Sequence, residues 1–326
     1  MSKHVTIRGS GVAGLSVAAE LTARGHPVTV VDPAMGPGKQ ACSWWAGGML
    51  APDCEGFLAE EPVVRLGRDA ADWWQDKGAQ VIRRGTIVVA LQRDARELDT
   101  FARRTQNHRW LDREALAAAE PQLGGRFSRA LLMTGEAHLD PRRTLLALKA
   151  RLSDAGVAFL PQADDRGQVI DCRGLAARDT LPELRGVKGE MVILRARDVT
   201  LTRPVRLLHP RFPLYIVPRG DGVFMLGATQ IESSDRSHAT VRSVMELLNA
   251  AYALDPGFGE AELLEIGVDA RPAFPDNLPR VCRVGDRVHV NGLFRHGFLL
   301  APAMARMAAD VLETNNKPEL WHEDHA

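Results

Sequence analysis

The sequence predicts an α/β (α+β) fold in which a parallel sheet of nucleotide-binding type carries an inserted β-rich unit. Three observations lead there. The first 32 residues read as strand, glycine turn, helix, strand and acidic residue. A second strand–helix–strand pattern returns after residue 136, and a last strand, glycine turn and helix follow residue 286. Between them lies a run of alternating strands with a hairpin turn. Strands that alternate with helices build parallel sheets, whereas consecutive strands build antiparallel ones. Two units of different character are therefore expected, the first of them Rossmann-like.

The opening unit carries the sharpest motif. Val5, Thr6 and Ile7 form a short β-rich run, and Gly9, Gly11 and Gly14 spell G-x-G-x-x-G. Val12, Leu15, Ala18, Ala19 and Leu21 recur at helical spacing, Gly25 stops the helix, and Val28 to Val31 end in Asp32. Gly9 allows the tight turn, Gly11 lets backbone approach a pyrophosphate, and Gly14 lets the helix pack on the strand. The free N–H groups of Val12, Ala13 and their neighbours, with the helix dipole, favour phosphate. Asp32 can accept bonds from both ribose hydroxyls and disfavours a 2′-phosphate. The motif fits FAD and NAD alike.

Bulk properties set the frame. A chain of 326 residues accommodates two domains. Hydrophobic content of 45% and charged content of 25% are those of ordinary globular proteins. A formal net charge of zero gives no drive towards nucleic acid or anionic membrane. No apolar run reaches the roughly 20 residues of a membrane span. The start runs at once into a strand, so no signal peptide is expected. Cys42, Cys54, Cys172 and Cys282 are scattered, which predicts free thiols in a reducing cytoplasm and no zinc site.

Further along, Ala41 to Pro52 combines small residues and paired glycines with Trp44 and Trp45. This suggests backbone packed on something flat or, equally, a tight turn; both tryptophans are expected in the core, with narrowing of a pocket as their alternative role. A helix is expected over 61–77, a strand over 85–91, a largely helical, solvated stretch over 93–116, and a break over 121–126. Asp140 is the candidate N-cap of a helix that Pro141 opens and Gly156 ends. Strands are expected at 157–160 and 169–172, the second running into a glycine turn at Gly174. The β-rich part follows at 188–195 and 204–208, with a hairpin over 213–229. The polar stretch 231–242 is a lid or a surface connection. A helix over 244–254, a last strand over 287–291 and a helix over 298–313 complete the pattern. The tail with His322, Glu323, Asp324 and His325 is expected to fray. The resulting division gives one discontinuous domain (1–80, 136–186 and 268–326) and a second of 81–135 and 187–267.

Taken in order, GSGVAGL at Gly9, SWWAGGMLAP at Ser43, AHLDPR at Ala137, VIDCRGL at Val169 and KGEM at Lys188 resemble the D-amino-acid oxidase family of FAD-dependent amine oxidases. So do LYIVPR at Leu214, GAT at Gly227, ARPAFPDNLP at Ala270 and NGLFRHGFLLAP at Asn291. The resemblance spans nearly the whole chain and is greatest to the glycine oxidases of thiamine biosynthesis. It implies non-covalent FAD, the discontinuous domain being the FAD-binding one and the other the substrate-binding one. Gly9, Gly11, Val12, Ala13, Gly14 and Asp32 would hold the ADP half. Ser43, Ala46, Gly47, Gly48 and Met49 would lie along the flavin, with Gly174, His296, Gly297, Phe298 and Leu299 completing the site.

The resemblance also implies a catalytic set. Arg271 would grip the substrate carboxylate, Tyr215 would lie over the site, and Arg295 would face the pocket. A guanidinium fork suits a carboxylate. On the residues alone, Arg271 and Arg295 read as surface or ion-paired arginines and Tyr215 as a core tyrosine. The implied activity is oxidation of glycine or another small amine to its imine, with dioxygen reduced to hydrogen peroxide. A thiazole synthase would take the product. Other family oxidases or dehydrogenases, acting on sarcosine, D-proline or D-amino acids, are the alternative. An inactive flavin-binding protein and an NAD-dependent dehydrogenase are the rivals. Analogy implies a homo-oligomer. Three departures stand out: Asp32 where many relatives carry Glu, Arg173 where they usually carry Ala, and a short chain. No Cys lies in 271–279, so no covalent flavin link is expected.

Overall fold

The computed structural model describes residues 3–208, 214–314 and 316–323. Val5–Arg8 is a strand because its apolar residues are buried on both faces, as parallel strands require. It pairs in parallel with Val28–Val31 on one side (Val5 opposite Val28) and with Gln168–Asp171 on the other (Val5 opposite Gln168). Among the described residues this sheet has seven strands. Their order is Trp321–Glu323, Arg280–Val284, Arg287–Asn291, Gln168–Asp171, Val5–Arg8, Val28–Val31, Ala158–Leu160. The chain leaves Val5–Arg8 towards one edge and returns on its other side. That creates a switch point at the carboxyl ends of Val5–Arg8 and Gln168–Asp171, where open α/β sheets bind ligands.

Helices Val12–Ala23, Pro141–Asp154 and Gly297–Thr314 share one core with this sheet. Leu15, Val17 and Leu21 are fully buried there, each contributing about 1.5–3 kcal/mol of apolar transfer. The side chain of Asp140 accepts from the Arg143 N–H at 3.0 Å, so the expected N-cap forms. The indole N–H of buried Trp74 donates to the Phe298 carbonyl at 2.7 Å and fixes the start of Gly297–Thr314.

The second sheet has nine strands among the described residues. Its spine is Arg185–Arg195, paired antiparallel with Glu262–Ala273 along one edge and with Val223–Gly227 along the other. Leu214–Gly220 forms the expected hairpin with Val223–Gly227; Pro213 lies outside the described residues. Val205–Leu208, Thr86–Ala90, Arg129–Met133 and His108–Asp112 extend the sheet. A two-stranded ribbon, Met49–Leu50 with Ala137–His138, lies between the cores. Among the described residues no helix is long and apolar enough to cross a membrane.

Several expectations change. The stretch 93–116 is largely helical, in Ala95–Arg104 and the start of Arg113–Ala119, but strand His108–Asp112, whose Leu111 is buried, interrupts it. Arg109 and Asp112 stay exposed on this edge strand, and their charge hid it in the sequence. The helix over 61–77 is two, Glu61–Gly67 and Ala70–Asp76. Pro121–Gly124 is a short helix rather than a simple break. The tail does not fray throughout, since Trp321–Glu323 pairs in parallel with Arg280–Val284; Asp324 and His325 lie outside the described residues.

Candidate active site

The glycine turn at the switch point is built by close approach. Gly9 has φ +98°, and a Cβ there would lie 2.7 Å from the Cys172 carbonyl oxygen. A Cβ on Gly14 would lie 1.9 Å from the Gly9 carbonyl oxygen, so any side chain would force the helix off the turn. Gly11 faces open space, with the Ser43 Oγ its nearest neighbour at 3.6 Å. Asp32 closes the cradle, accepting from the Ser10 N–H and hydroxyl, both at 2.8 Å, and from the Ala34 N–H at 2.9 Å. The Val12 N–H donates to the Ser43 hydroxyl at 3.3 Å, joining the first helix to the segment that continues into Ala46–Met49.

This cradle opens into a cavity of about 790 Å³. Gly9, Gly11, Val12, Ala13, Asp32, Ser43, Ala46, Gly47, Gly48, Met49 and Gly174 line it. So do His296, Gly297, Phe298, Leu299, Arg271, Tyr215 and Arg295. Of the residues singled out from sequence, Gly14 alone is not on its wall; it packs the first helix against the turn behind. A cavity of this size, with a phosphate-type helix N-terminus at one end and open backbone along one side, fits a dinucleotide. The first-turn N–H groups of Gly297–Thr314 meet the same cavity from another direction, and these lack intrahelical partners.

The far end is where both sheets meet. Arg271, on Glu262–Ala273, donates through Nη1 to the Thr229 carbonyl at 3.2 Å. A Cβ on Gly189 would lie 2.1 Å from its Nη2, so the facing strand is bare where the guanidinium lies. Among the described residues no carboxylate pairs with Arg271, because nearby Asp269 is taken by Arg236 at 2.6 Å. Burial holds the Arg271 pKa below the usual arginine range. Tyr215 stands beside it with Met191 and Met225, forming an apolar wall. Arg295 is different: it is paired with Glu55 at 2.5 Å. Burial would raise the Glu55 pKa, but Arg295, His296 and Arg206 outweigh it and hold the carboxyl at about 2. His296 is pushed down to about 4, chiefly by burial.

Sequence reading missed several residues here. Glu55 neutralises Arg295, Gly189 makes room for Arg271, and Arg236 reaches the cavity from the 231–242 stretch. Arg236 also donates to the Gln40 carbonyl at 2.7 Å, while Asp235 of the same loop pairs with buried Lys188 at 2.8 Å. The signal available was the alternation of a strand, which puts Asp269 and Arg271 on one face. Trp44 and Trp45 are not core residues. Both are half-buried, with the Arg142 guanidinium 5.1 Å and 5.2 Å from their ring centres, and Trp45 lines the cavity. Arg173 is held by Asp171 at 2.7 Å and Asp179 at 2.9 Å, so its donors are spent on carboxylates beside the turn.

The family model for FAD dependent oxidoreductases matches residues 4–311. A protein of Rhizobium etli that bears the name of a thiamine biosynthesis oxidoreductase, ThiO, is 55% identical over 97% of this chain and 98% of its own. Glycine oxidase of Pseudomonas aeruginosa is 27% identical over 96% of this chain and 95% of its own. A bifunctional ThiO/ThiG protein of a Nostoc species is 25% identical over 99% of this chain and 54% of its own. The crystal structure of glycine oxidase from Geobacillus kaustophilus shares the fold, with a TM-score of 0.80, 23% identity, and coverage of 98% of this chain and 97% of that one. An enzyme with FAD as its cofactor, this chain belongs to the family of FAD dependent oxidoreductases that these proteins represent.

Proposed function

We propose that this enzyme oxidises glycine, or an amino acid of similar size, to its imine while dioxygen is reduced to hydrogen peroxide. The observation that carries the reading is Arg271: a guanidinium without a carboxylate partner among the described residues, walled by Tyr215, Met191 and Met225, at the inner end of the cavity. A buried cation of this kind invites an anionic ligand, and a planar fork recognises a carboxylate by two parallel bonds. The methionines and the tyrosine leave an apolar surround that favours a small substrate and keeps water out.

FAD, when bound, would supply the two-electron oxidation of the substrate's Cα–H bond, with dioxygen as the final acceptor. The chain's own residues supply position. Arg271 fixes the carboxylate, which orients the α-carbon, and Tyr215 covers it. Gly9, Gly11 and Asp32, with the N-terminus of Val12–Ala23, hold the ADP half. Gly47, Gly48, Met49 and the first turn of Gly297–Thr314 hold the flavin half. No protein base is needed if the amine binds neutral. We assign cofactor binding to residues 1–80, 136–186 and 268–326, and substrate binding to 81–135 and 187–267. The long strands Arg185–Arg195 and Glu262–Ala273 straddle that division and bring Arg271 to it.

The name of the 55%-identical relative supports a place in thiamine biosynthesis. The ThiO/ThiG fusion supports a thiazole-forming enzyme as the consumer of the imine. The unbonded thiols of Cys42, Cys54 and Cys172 suit a reducing cytoplasm. The test is anaerobic mixing with glycine, followed by oxidised-flavin absorbance, with sarcosine, D-alanine and D-proline in parallel. Bleaching by glycine, restored by air and needing far higher glycine in Arg271→Ala, is expected. Bleaching by a larger amine alone would discard glycine, and a yellow protein that no amine bleaches would discard the oxidase reading.

A further inference from the structure

The loop Ala46–Gly48 is held from behind by one side chain. Arg219, at the end of strand Leu214–Gly220, donates through Nη2 to the Ala46 carbonyl at 3.2 Å and the Gly47 carbonyl at 2.8 Å. Its Nη1 donates to the Leu139 carbonyl at 3.0 Å. The next carbonyl, that of Gly48, accepts from the Leu139 N–H at 2.9 Å. Three successive carbonyls of a cavity-lining loop are thus occupied by donors that do not line the cavity. Among the described residues neither Gly47 nor Gly48 donates its own N–H to a protein acceptor. Gly48 has φ +71°, and a Cβ there would lie 2.3 Å from the Leu139 oxygen, so no other residue fits this arrangement.

The arginine is aimed by the fold. Register between Leu214–Gly220 and Val223–Gly227 shifts between Pro218 and Gly220, which leaves Arg219 as the extra residue of a bulge. Bulges of this kind re-aim a side chain beside a site. Tyr215 of the same strand lies against the loop too, its Cε2 3.7 Å from where a Gly47 Cβ would be. Arg219 makes no ion pair among the described residues; Asp140 acts on it only at longer range. Burial brings its pKa down to about 10, so it stays charged at neutral pH.

We propose that Arg219 is a positioning residue for the flavin: by occupying the carbonyls of Ala46, Gly47 and Leu139, it turns the N–H side of the loop towards the cofactor. This rests on the reading that Ala46–Met49 lies along FAD. Two consequences follow. The loop is pre-organised, which lowers the ordering cost of binding. A fixed cation behind the loop also favours the electron-rich, reduced form of the cofactor.

The test uses apoprotein of the wild type, Arg219→Met and Arg219→Lys, each titrated with FAD. The visible spectrum and midpoint potential of each loaded protein are then measured. Arg219→Met is expected to bind FAD at least about tenfold more weakly, with shifted flavin bands and a more negative potential. Arg219→Lys keeps the charge without the fork, so it should retain more of the potential than of the affinity. Affinity, spectrum and potential all matching the wild type would overturn the proposal, even with a lowered melting temperature, because Arg219 would then merely fasten the two sheets. If the methionine variant does not fold, the lysine variant decides on the same three readouts. A wild type that takes up no FAD would overturn the loop reading itself, and the proposal with it.

Discussion

The Arg295 guanidinium lies 2.5 Å from the Glu55 carboxylate, whereas Arg271 in the same cavity pairs with no carboxylate among the described residues. Two arginines that look alike in sequence therefore differ in what they can still bind. Losing a charge-assisted bond to a ligand costs about 1.5–3 kcal/mol, so Arg271→Ala should lower kcat/KM for glycine by about 10–150-fold, mainly through KM. Arg271→Lys should recover part of the loss. Arg295→Ala leaves half-buried Glu55 with Arg206 at 3.7 Å as its remaining arginine, so its main effect should be on stability. Steady-state kinetics beside denaturant titrations separate the two; an unchanged KM in Arg271→Ala would dismiss the carboxylate role.

Room for Arg271 depends on the strand opposite. Gly189→Ala would place a Cβ 2.1 Å from its Nη2, closer than any contact can hold, so the guanidinium must swing away. The strand conformation itself tolerates alanine. The expected outcome is a rise of about tenfold or more in KM for glycine with FAD affinity unchanged, since the cradle at Gly9 is remote. Flavin titration and substrate kinetics on one preparation check both halves. A variant with ordinary KM would mean that Arg271 does not need the position it occupies.

Much of this site was legible in the sequence because it is built from backbone. Gly9, Gly14 and Gly48 are where a side chain would collide, and such positions announce themselves as glycines. The parallel strands read as continuous apolar runs for a similar reason. What stayed hidden depends on long-range pairing. Nothing local shows that Glu55 will meet Arg295 across 240 positions, or that Arg236 will bond Asp269 and reach the cavity. Strand His108–Asp112 was obscured because an edge strand tolerates exposed charges such as Arg109 and Asp112. Trp44 and Trp45 are expected in the core, whereas both are half-buried with Arg142 over their rings and Trp45 reaches the cavity.

Two buried acids should bend the stability curve in opposite directions. Glu55 has a folded pKa of about 2 against an ordinary 4.5. Its contribution is present above 4.5 and is lost as pH falls towards 2. Glu136 is raised from 4.5 to about 7 by burial, with the Cys54 N–H donating to it at 2.7 Å. The native state binds that proton more tightly, so stability falls as pH rises from 4.5 to about 7. Each limb is of the order of 3 kcal/mol. Denaturant midpoints across pH should show a maximum near the crossing. Glu136→Gln should flatten the upper limb and leave the lower. A slope between 4.5 and 7 that survives in that variant would assign it to another group.

Arg173 offers a sharper test of how a departure from the family pattern is accommodated. It occupies a wall of the cavity, yet its donors go to Asp171, fully buried, and to Asp179. The arrangement explains why an arginine is tolerated beside the glycine turn: the chain supplies it with two carboxylates. Removing the arginine leaves Asp171 charged and buried, which costs about 3–5 kcal/mol in such pairs. Arg173→Ala should therefore lose stability on that scale, while Asp171→Asn in the same background should recover much of it. The coupling from a double-mutant cycle should be about 1 kcal/mol or more. FAD affinity should change little in the double variant, because Gly9 and Gly14 keep the turn. Additive effects on stability, or a cofactor affinity that collapses in the double variant, would instead place Arg173 among the groups that hold FAD.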